Sequence, residues 1–193
     1  GAEMQMEWSD GKKRCCWANP KNERYIRYHD EEWGVPVYDD GKLFEMLVLE
    51  CFQAGLSWEC VLNKREAFRE AFDGFDLETV CAYGKDKLEA LVRDPGIIRN
   101  RLKIQAAVTN ARVFREIQGE YGSFYGYLWH WTAGKVVYES GLTHSELSDR
   151  ISKDLKKRGM KFVGTTVIYA YLQAVGVIYS HDGGCFLEHK TVV

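Results

Sequence analysis

Leu155-Lys156-Lys157-Arg158-Gly159-Met160-Lys161-Phe162-Val163-Gly164-Thr165-Thr166 joins two helices through a short turn between glycines. A basic helix end meets a glycine, the chain turns, and a second glycine opens another helix. The first amides of a helix have no partner inside it, so those of Gly164, Thr165 and Thr166 are aimed outward at an anion. Lys161 and its neighbours add attraction for phosphate that carries no sequence information. The plainer alternative is an ordinary corner between two helices with glycine caps.

Working outward, Ser145 or Ser148 caps the helix that ends at Gly159, and the next helix runs from Thr166 to Val175, stopped by Gly176. The unit at about 148–176 resembles the helix-hairpin-helix motif of DNA-binding proteins. Further upstream the caps continue. Asp39 and Asp40 open a helix from about Lys42 to Gln53, with Leu43, Phe44, Met46, Leu47 and Val48 on its apolar side. Ala54-Gly55-Leu56-Ser57-Trp58 breaks it, and a second helix ends near Phe72. Asp76 and Asp86 are expected to cap two shorter helices. Asp94-Pro95-Gly96 stops one helix and opens a long one from Ile98 to about Gln118. Between 132 and 144 the pattern is a loop in which Val136-Val137-Tyr138 can form a short extended piece. Many caps and few strand signals give an all-α fold class.

The length of 193 residues suits a single domain that buries a real core, and 46% hydrophobic with 28% charged residues is an ordinary globular balance. The formal net charge of -2 does not by itself announce a nucleic-acid binder. Its distribution says more. Arg150, Lys153, Lys156, Lys157, Arg158 and Lys161 face one acid, Asp154, and Arg93, Arg99, Arg101 and Lys103 form a second basic cluster. Either run could equally be a solvated helix face. No apolar run is long enough for a bilayer, since Tyr169, Tyr171 and Gln173 interrupt the best stretch. No signal-peptide pattern opens the chain, so the expected compartment is the cytoplasm, beside the nucleoid in a bacterium. Six cysteines are then expected reduced, as ligands or buried thiols. Gly1-Ala2-Glu3 precede any methionine, which makes Met4 or Met6 the expected native start. Residues 1–13 are expected to be disordered or foreign, 14–186 to form one domain, and 187–193 to be a loose tail.

Three groups carry chemistry. Cys15 and His29 near the start and His181 and Cys185 near the end are two thiols and two imidazoles, the donor set of a closed tetrahedral zinc shell. Spacing alone leaves burial in the core as the better reading of them. Glu50 falls on the same helical face as Leu43, Leu47 and Ala54, and a carboxylate on a core stripe is costly unless it is paired or functional. Trp17, Tyr25, Tyr28, Trp33 and Trp58 crowd among polar and acidic residues, as a pocket that stacks on a flat base requires.

Taken with their order, these stretches resemble the 3-methyladenine DNA glycosylase I family of the helix-hairpin-helix glycosylases. The matching pieces are Cys-x-Trp at 15–17, Tyr-x-x-Tyr-His-Asp at 25–30, Glu-Trp-Gly-Val-Pro at 32–36, Leu-Phe-Glu-Met at 43–46 and Gln-Ala-Gly-Leu-Ser-Trp at 53–58. Gly-Ile-Ile-Arg at 96–99, Lys-Ile-Gln-Ala at 103–106, Lys-Lys-Arg-Gly at 156–159, Phe-Val-Gly-Thr-Thr at 162–166 and His-x-x-x-Cys at 181–185 follow. Cys16, Cys51 and Phe52 depart from the family's pattern. The resemblance implies a zinc ion on Cys15, His29, His181 and Cys185, tying the two terminal segments together. It implies that Glu50 and Tyr28 hydrogen-bond a flipped base, that Trp58 stacks on it, and that Tyr25 and Trp17 line the pocket. Lys161, Gly164, Thr165 and Thr166 become the DNA contacts, with alkylated duplex DNA as partner and no membrane; a monomer is expected. Glu50 is the expected catalytic residue. Asp182, after the second hairpin helix, is not, because it adjoins His181. The implied reaction is hydrolytic excision of 3-methyladenine without strand cleavage. Two other classes compete. A non-enzymatic zinc-stabilised DNA-binding module leaves Glu50 beside Trp58 unexplained, and a zinc hydrolase needs an open metal position.

Overall fold

A computed structural model of the chain describes residues 8–181 and 183–189. Asn22 caps α1 (Glu23–Arg27), which runs directly into a π-helical turn, Tyr28–Glu32. Then comes α2 (Asp40–Gln53), opened by the Asp39 carboxylate accepting from the Lys42 amide at 2.9 Å. Every residue of α2 from Leu43 to Phe52 is buried. A helix apolar on nearly all sides belongs inside a protein, and α2 is the central rod of this one. It packs against α7 (Arg101–Tyr121), α8 (Phe124–His130) and α10 (Thr165–Ala174). Between α2 and α7 lie four short helices, α3 (Trp58–Asn63), α4 (Arg65–Ala71), α5 (Leu77–Cys81) and α6 (Lys85–Val92). α9 (Glu146–Lys157) packs on α10 and makes the hairpin with it.

The all-α reading stands, with one addition. The extended piece expected at 136–138 becomes β1 (Val137–Tyr138), which pairs in parallel with β2 (Ile178–Tyr179). Several boundaries differ from expectation. The helix expected to run to Phe72 is two helices, divided at Lys64 (φ -99, ψ 4). Asp86 is not a cap: it sits in the first turn of α6, behind Gly84. The long helix starts at Arg101, because Asn100 accepts from the Lys103 amide at 3.1 Å and fixes the start there. Ser145 and Ser148 turn out to be the two halves of one capping box. The sequence reading did not foresee α1 or α8.

One glycine is required by packing. At Gly176 (φ +79) a Cβ would lie 2.3 Å from the Pro36 nitrogen and 2.4 Å from the Val35 carbonyl carbon. The segment 34–37 therefore lies hard against the end of α10, where Gly34 donates to the Gln173 carbonyl and Val37 to that of Val175. This contact brings the N-terminal segment beside β2 and His181. Among the described residues no helix is long and apolar enough to cross a membrane.

Candidate active site and metal cluster

The four ligand-type residues named from the two ends of the chain meet. Cys15, His29, His181 and Cys185 are all buried, and their ligand atoms lie within 4.8 Å of one another. The edges are those of a coordination shell. Cys15 Sγ is 3.6 Å and Cys185 Sγ 3.5 Å from His181 Nδ1, and Cys185 Sγ is 3.5 Å from His29 Nε2. A tetrahedron with zinc–sulfur and zinc–nitrogen bonds of normal length has sulfur-to-nitrogen edges of about 3.6 Å. The outer nitrogens are also spoken for. His29 Nδ1 is 2.8 Å from Asp30 Oδ1, and His181 Nε2 is 3.0 Å from the Trp33 carbonyl. Each imidazole donates outward and turns a lone pair inward, the arrangement that orients metal-bound histidines. Asp30 is held in turn by Arg14 at 2.7 and 2.8 Å. Close contact with Cys15, and then with the imidazoles, pulls the Cys185 thiol well below its usual range, towards the thiolate a metal takes. The residues fit a divalent metal.

The same segments build a pocket on the other side. Tyr28 and His29 are consecutive in the π-turn, and while His29 joins the cluster Tyr28 lines a cavity of about 280 Å³. Trp17, Tyr25, Trp33, Glu50 and Trp58 line it too. Trp17 lies 5.1 Å from the His29 ring and Trp33 4.8 Å from that of His181, so the cluster backs directly onto the aromatic wall. Tyr28 and Trp58 stand 5.4 Å apart, centroid to centroid, and Trp17 stands 5.2 Å from Tyr25. Glu50 is 3% exposed, and no hydrogen-bond donor among the described residues reaches its carboxylate. Burial alone pushes its pKa up to about 8. Burial also raises the Tyr28 hydroxyl well above the ordinary phenol and takes that of Tyr25 to about 12. The Trp58 indole N–H is buried without an acceptor among the described residues. All five base-pocket residues named from sequence are thus brought together. Gln53, Gly141, Ala170, Gln173 and Ser180 complete the lining. Sequence reasoning did not assign these five to the pocket. A trace of Gln173 was present, a polar residue one turn from Ala170 on an otherwise apolar helix; Gly141 left none.

Gly164 (φ -60, ψ 163) precedes α10 and no side chain caps that helix start. A Cβ on Gly164 would meet nothing within 4 Å, so the fold does not demand glycine there. Lys161 and Thr166 are exposed. The Thr165 hydroxyl is engaged internally, 2.7 Å from both Asp149 Oδ1 and Ser148 Oγ, which leaves its amide as the outward group. Asp182 lies outside the described residues, as do 1–7 and 190–193 from the expected terminal segments. Phe186 N donates to the Lys13 carbonyl at 2.6 Å and joins the two ends beside the cluster.

Residues 17–188 match the family described as methyladenine glycosylase. The chain is 45% identical over 179 residues to DNA-3-methyladenine glycosylase 1 of Escherichia coli K12, covering 90% of this chain and 95% of that one. A crystal structure of 3-methyladenine DNA glycosylase I superposes with a TM-score of 0.87 at 43% identity, over 91% of this chain and 100% of that one. A variant of 3-methyladenine DNA glycosylase I in complex with 3-methyladenine superposes with a TM-score of 0.84 at 35% identity, over 88% and 95% of the two chains.

Proposed function

This chain belongs to the methyladenine glycosylase family, and from that premise we propose that it flips 3-methyladenine out of alkylated duplex DNA and hydrolyses its glycosidic bond. The observation that carries the reading is Glu50: a buried carboxyl without a partner among the described residues, set in an aromatic cavity of about 280 Å³. An adenine methylated at N3 is cationic in DNA, so its glycosidic bond is already weak and it leaves as a neutral base without a general acid. What the protein must supply is recognition and shielding. Burial, which takes the Glu50 carboxyl to about 8, favours its protonated form at neutral pH. A cationic base brought against it favours the carboxylate, which gives its proton to solvent and can then accept the exocyclic N–H. Neutral adenine offers no such reward. Tyr28 offers a second polar contact, and Trp58 stacks across the base. No lysine lines the cavity, which supports hydrolysis to an abasic site without a covalent amine step. The 14–186 region is then one glycosylase domain.

Duplex DNA is held, in this reading, by the amides of Gly164, Thr165 and Thr166 with Lys161 beside them. Because a side chain at 164 enters open space, Gly164→Asp should weaken binding to all duplexes while leaving affinity for free 3-methyladenine unchanged. Loss of both would mean that the fold had been disturbed. Zinc is the metal we assign to the cluster: with all four positions filled by protein it is structural, clamping the terminal segments behind the pocket. Cys185→Ser should release metal and melt earlier; a chelator-free preparation without zinc would overturn the assignment. DNA repair on this scheme takes place in the cytoplasm. The deciding assay is release of 3-methyladenine from methylated duplex DNA, with inhibition by the free base. A wild-type chain that releases none is not a glycosylase of this class.

A further inference from the structure

The Lys-Ile-Gln-Ala stretch at 103–106 has no part in the pocket or in the hairpin, yet its lysine is one of the few buried cations. Lys103 is 8% exposed and has no carboxylate partner among the described residues. Its Nζ donates to the Phe52 carbonyl at 2.9 Å and to the Ala54 carbonyl at 2.6 Å. These carbonyls end α2, just beyond Glu50. The negative end of the helix dipole gathers there, and a cation satisfies the otherwise orphaned oxygens. From Ala54 the chain turns through Gly55 (φ +81) and Leu56 to Ser57, the cap of the helix that carries Trp58.

Seven residues along the same helix α7, and so on the same face, Asn110 makes a second clamp. Its Oδ1 accepts from the Lys161 amide at 2.8 Å, and its Nδ2 donates to the Lys161 carbonyl at 2.9 Å. Asn110 is 2% exposed, and its Nδ2 also lies 3.7 Å from the Sγ of Cys51, the neighbour of Glu50. Two turns of helix, about 10 Å, separate the clamps. One holds the end of the pocket helix and the other the backbone of the hairpin.

We propose that α7 is a brace, and that Lys103 and Asn110 are positioning residues which hold the base pocket and the DNA-gripping hairpin at a fixed separation. The inference rests on the reading of pocket and hairpin given above. A nucleotide anchored through its phosphates reaches Glu50 only if that spacing is kept, whereas a free base finds the pocket without it. The clamps therefore act on the reaction in DNA and not on base recognition as such.

The test measures three quantities on the full chain: duplex Kd, the single-turnover rate at saturating methylated duplex, and the Kd of free 3-methyladenine. Lys103→Met keeps the stem and removes the donors. It should lower the saturated rate roughly ten- to a hundredfold, the size expected of misplacement by about an ångström. Lys103→Arg, which can reach both carbonyls, should recover most of that loss. Asn110→Ala should instead raise duplex Kd by about tenfold, the equivalent of the net hydrogen bonding lost with the side chain. Free-base affinity should match wild type in all three. A merely structural role would lower the melting temperature and the saturated rate and raise both Kd values together, and arginine would restore none of them selectively. A Lys103→Met protein with the wild-type saturated rate overturns the brace, as does parallel loss of rate and free-base affinity. Should Lys103→Met fail to fold, Asn110→Ala decides alone, and an unchanged duplex Kd overturns the proposal. A wild-type chain that releases no base fails in a different way, by removing the glycosylase reading itself.

Discussion

Glu45 and Glu50 lie five residues apart on α2, and both are almost wholly buried, at 8% and 3% exposure. Their surroundings are opposite. Glu45 is held by Arg65 at 2.6 Å and by Arg69 at 2.5 Å, and Arg65 extends the network to Glu32 at 2.8 Å. Burial by itself would raise the Glu45 carboxyl, but hydrogen bonds from Arg69 and Arg65 outweigh it and hold the group below its ordinary range. Glu50 has the burial without the arginines, and rises to about 8. A paired buried carboxylate joins helices. An unpaired one has been left for something that arrives from outside. On the proposed function, one helix uses the same side chain for structure at Glu45 and for base recognition at Glu50.

The largest effect that would test the contrast is on catalysis. Glu50→Gln keeps the size and removes the charge, and should slow single-turnover release of 3-methyladenine by roughly 100- to 1,000-fold, as loss of one preorganised electrostatic contact does elsewhere. Melting should be no earlier than in wild type at pH 7. Release at the wild-type rate would make Glu50 one more structural carboxylate and erase the distinction. Glu45→Gln should do the reverse. It removes the charge between Arg65 and Arg69, of which Arg65 keeps Glu32 and Arg69 keeps Glu66, at a cost of about 2–3 kcal/mol of stability. Denaturant unfolding measures this, and base release by the still-folded variant should stay near wild type.

A smaller effect is pH-dependent. In the unfolded chain Glu50 loses its proton at the ordinary glutamate value of 4.5, whereas the folded chain keeps it to about 8. Within that window the folded state binds more protons, so raising the pH favours unfolding. The Glu50 contribution is fully present below the lower value and gone above the higher. Glu50→Gln has no such proton, so its melting temperature should gain on wild type as pH rises from 5 to 8. Water entering the cavity will hold the gain to on the order of 2 kcal/mol, below the ceiling of about 1.4 kcal/mol per pKa unit. A constant difference across that range would mean that Glu50 is already ionised in the empty pocket. Glu45→Gln should show the opposite trend, with its penalty fading in acid. Least of all, Trp58→Ala should weaken binding of free base by about 1–2 kcal/mol and leave the preference for 3-methyladenine over adenine intact. Loss of preference would shift discrimination from the carboxylate to the indole.

Legibility followed the range over which each feature is encoded. The hairpin was readable because its parts are contiguous: Gly159, Lys161, Gly164 and Thr165 act through local backbone geometry. Asp39, Asp76 and Ser145 cap helices for the same local reason. Glu50 was readable as a carboxylate on an apolar stripe, but nothing in the chain distinguished it from Glu45, whose arginines lie 20 and 24 residues away. The π-turn at Tyr28–Glu32 left no periodic signal, although it decides that adjacent residues serve two sites. Asp86 looked like a cap because aspartate favours such positions, and the start at Gly84 displaced it.

Local signals in the chain specified most of the longer helices, the hairpin, the ordered motifs that mark the family, and the types of residue available for ligation and stacking. Spacing did not join Cys15 and His29 to His181 and Cys185, which only the family resemblance implied; packing brought them together, added Gln173 and Ser180 to the pocket, and tied α7 through Lys103 and Asn110 to the end of α2 and to the Lys161 backbone. The physical reason is one of range. Capping and turn chemistry act over a few residues and leave their mark in consecutive letters. A cavity, a coordination shell and a buried charge are fixed by which distant segments pack together, here through contacts as close as that of Gly176 with Pro36.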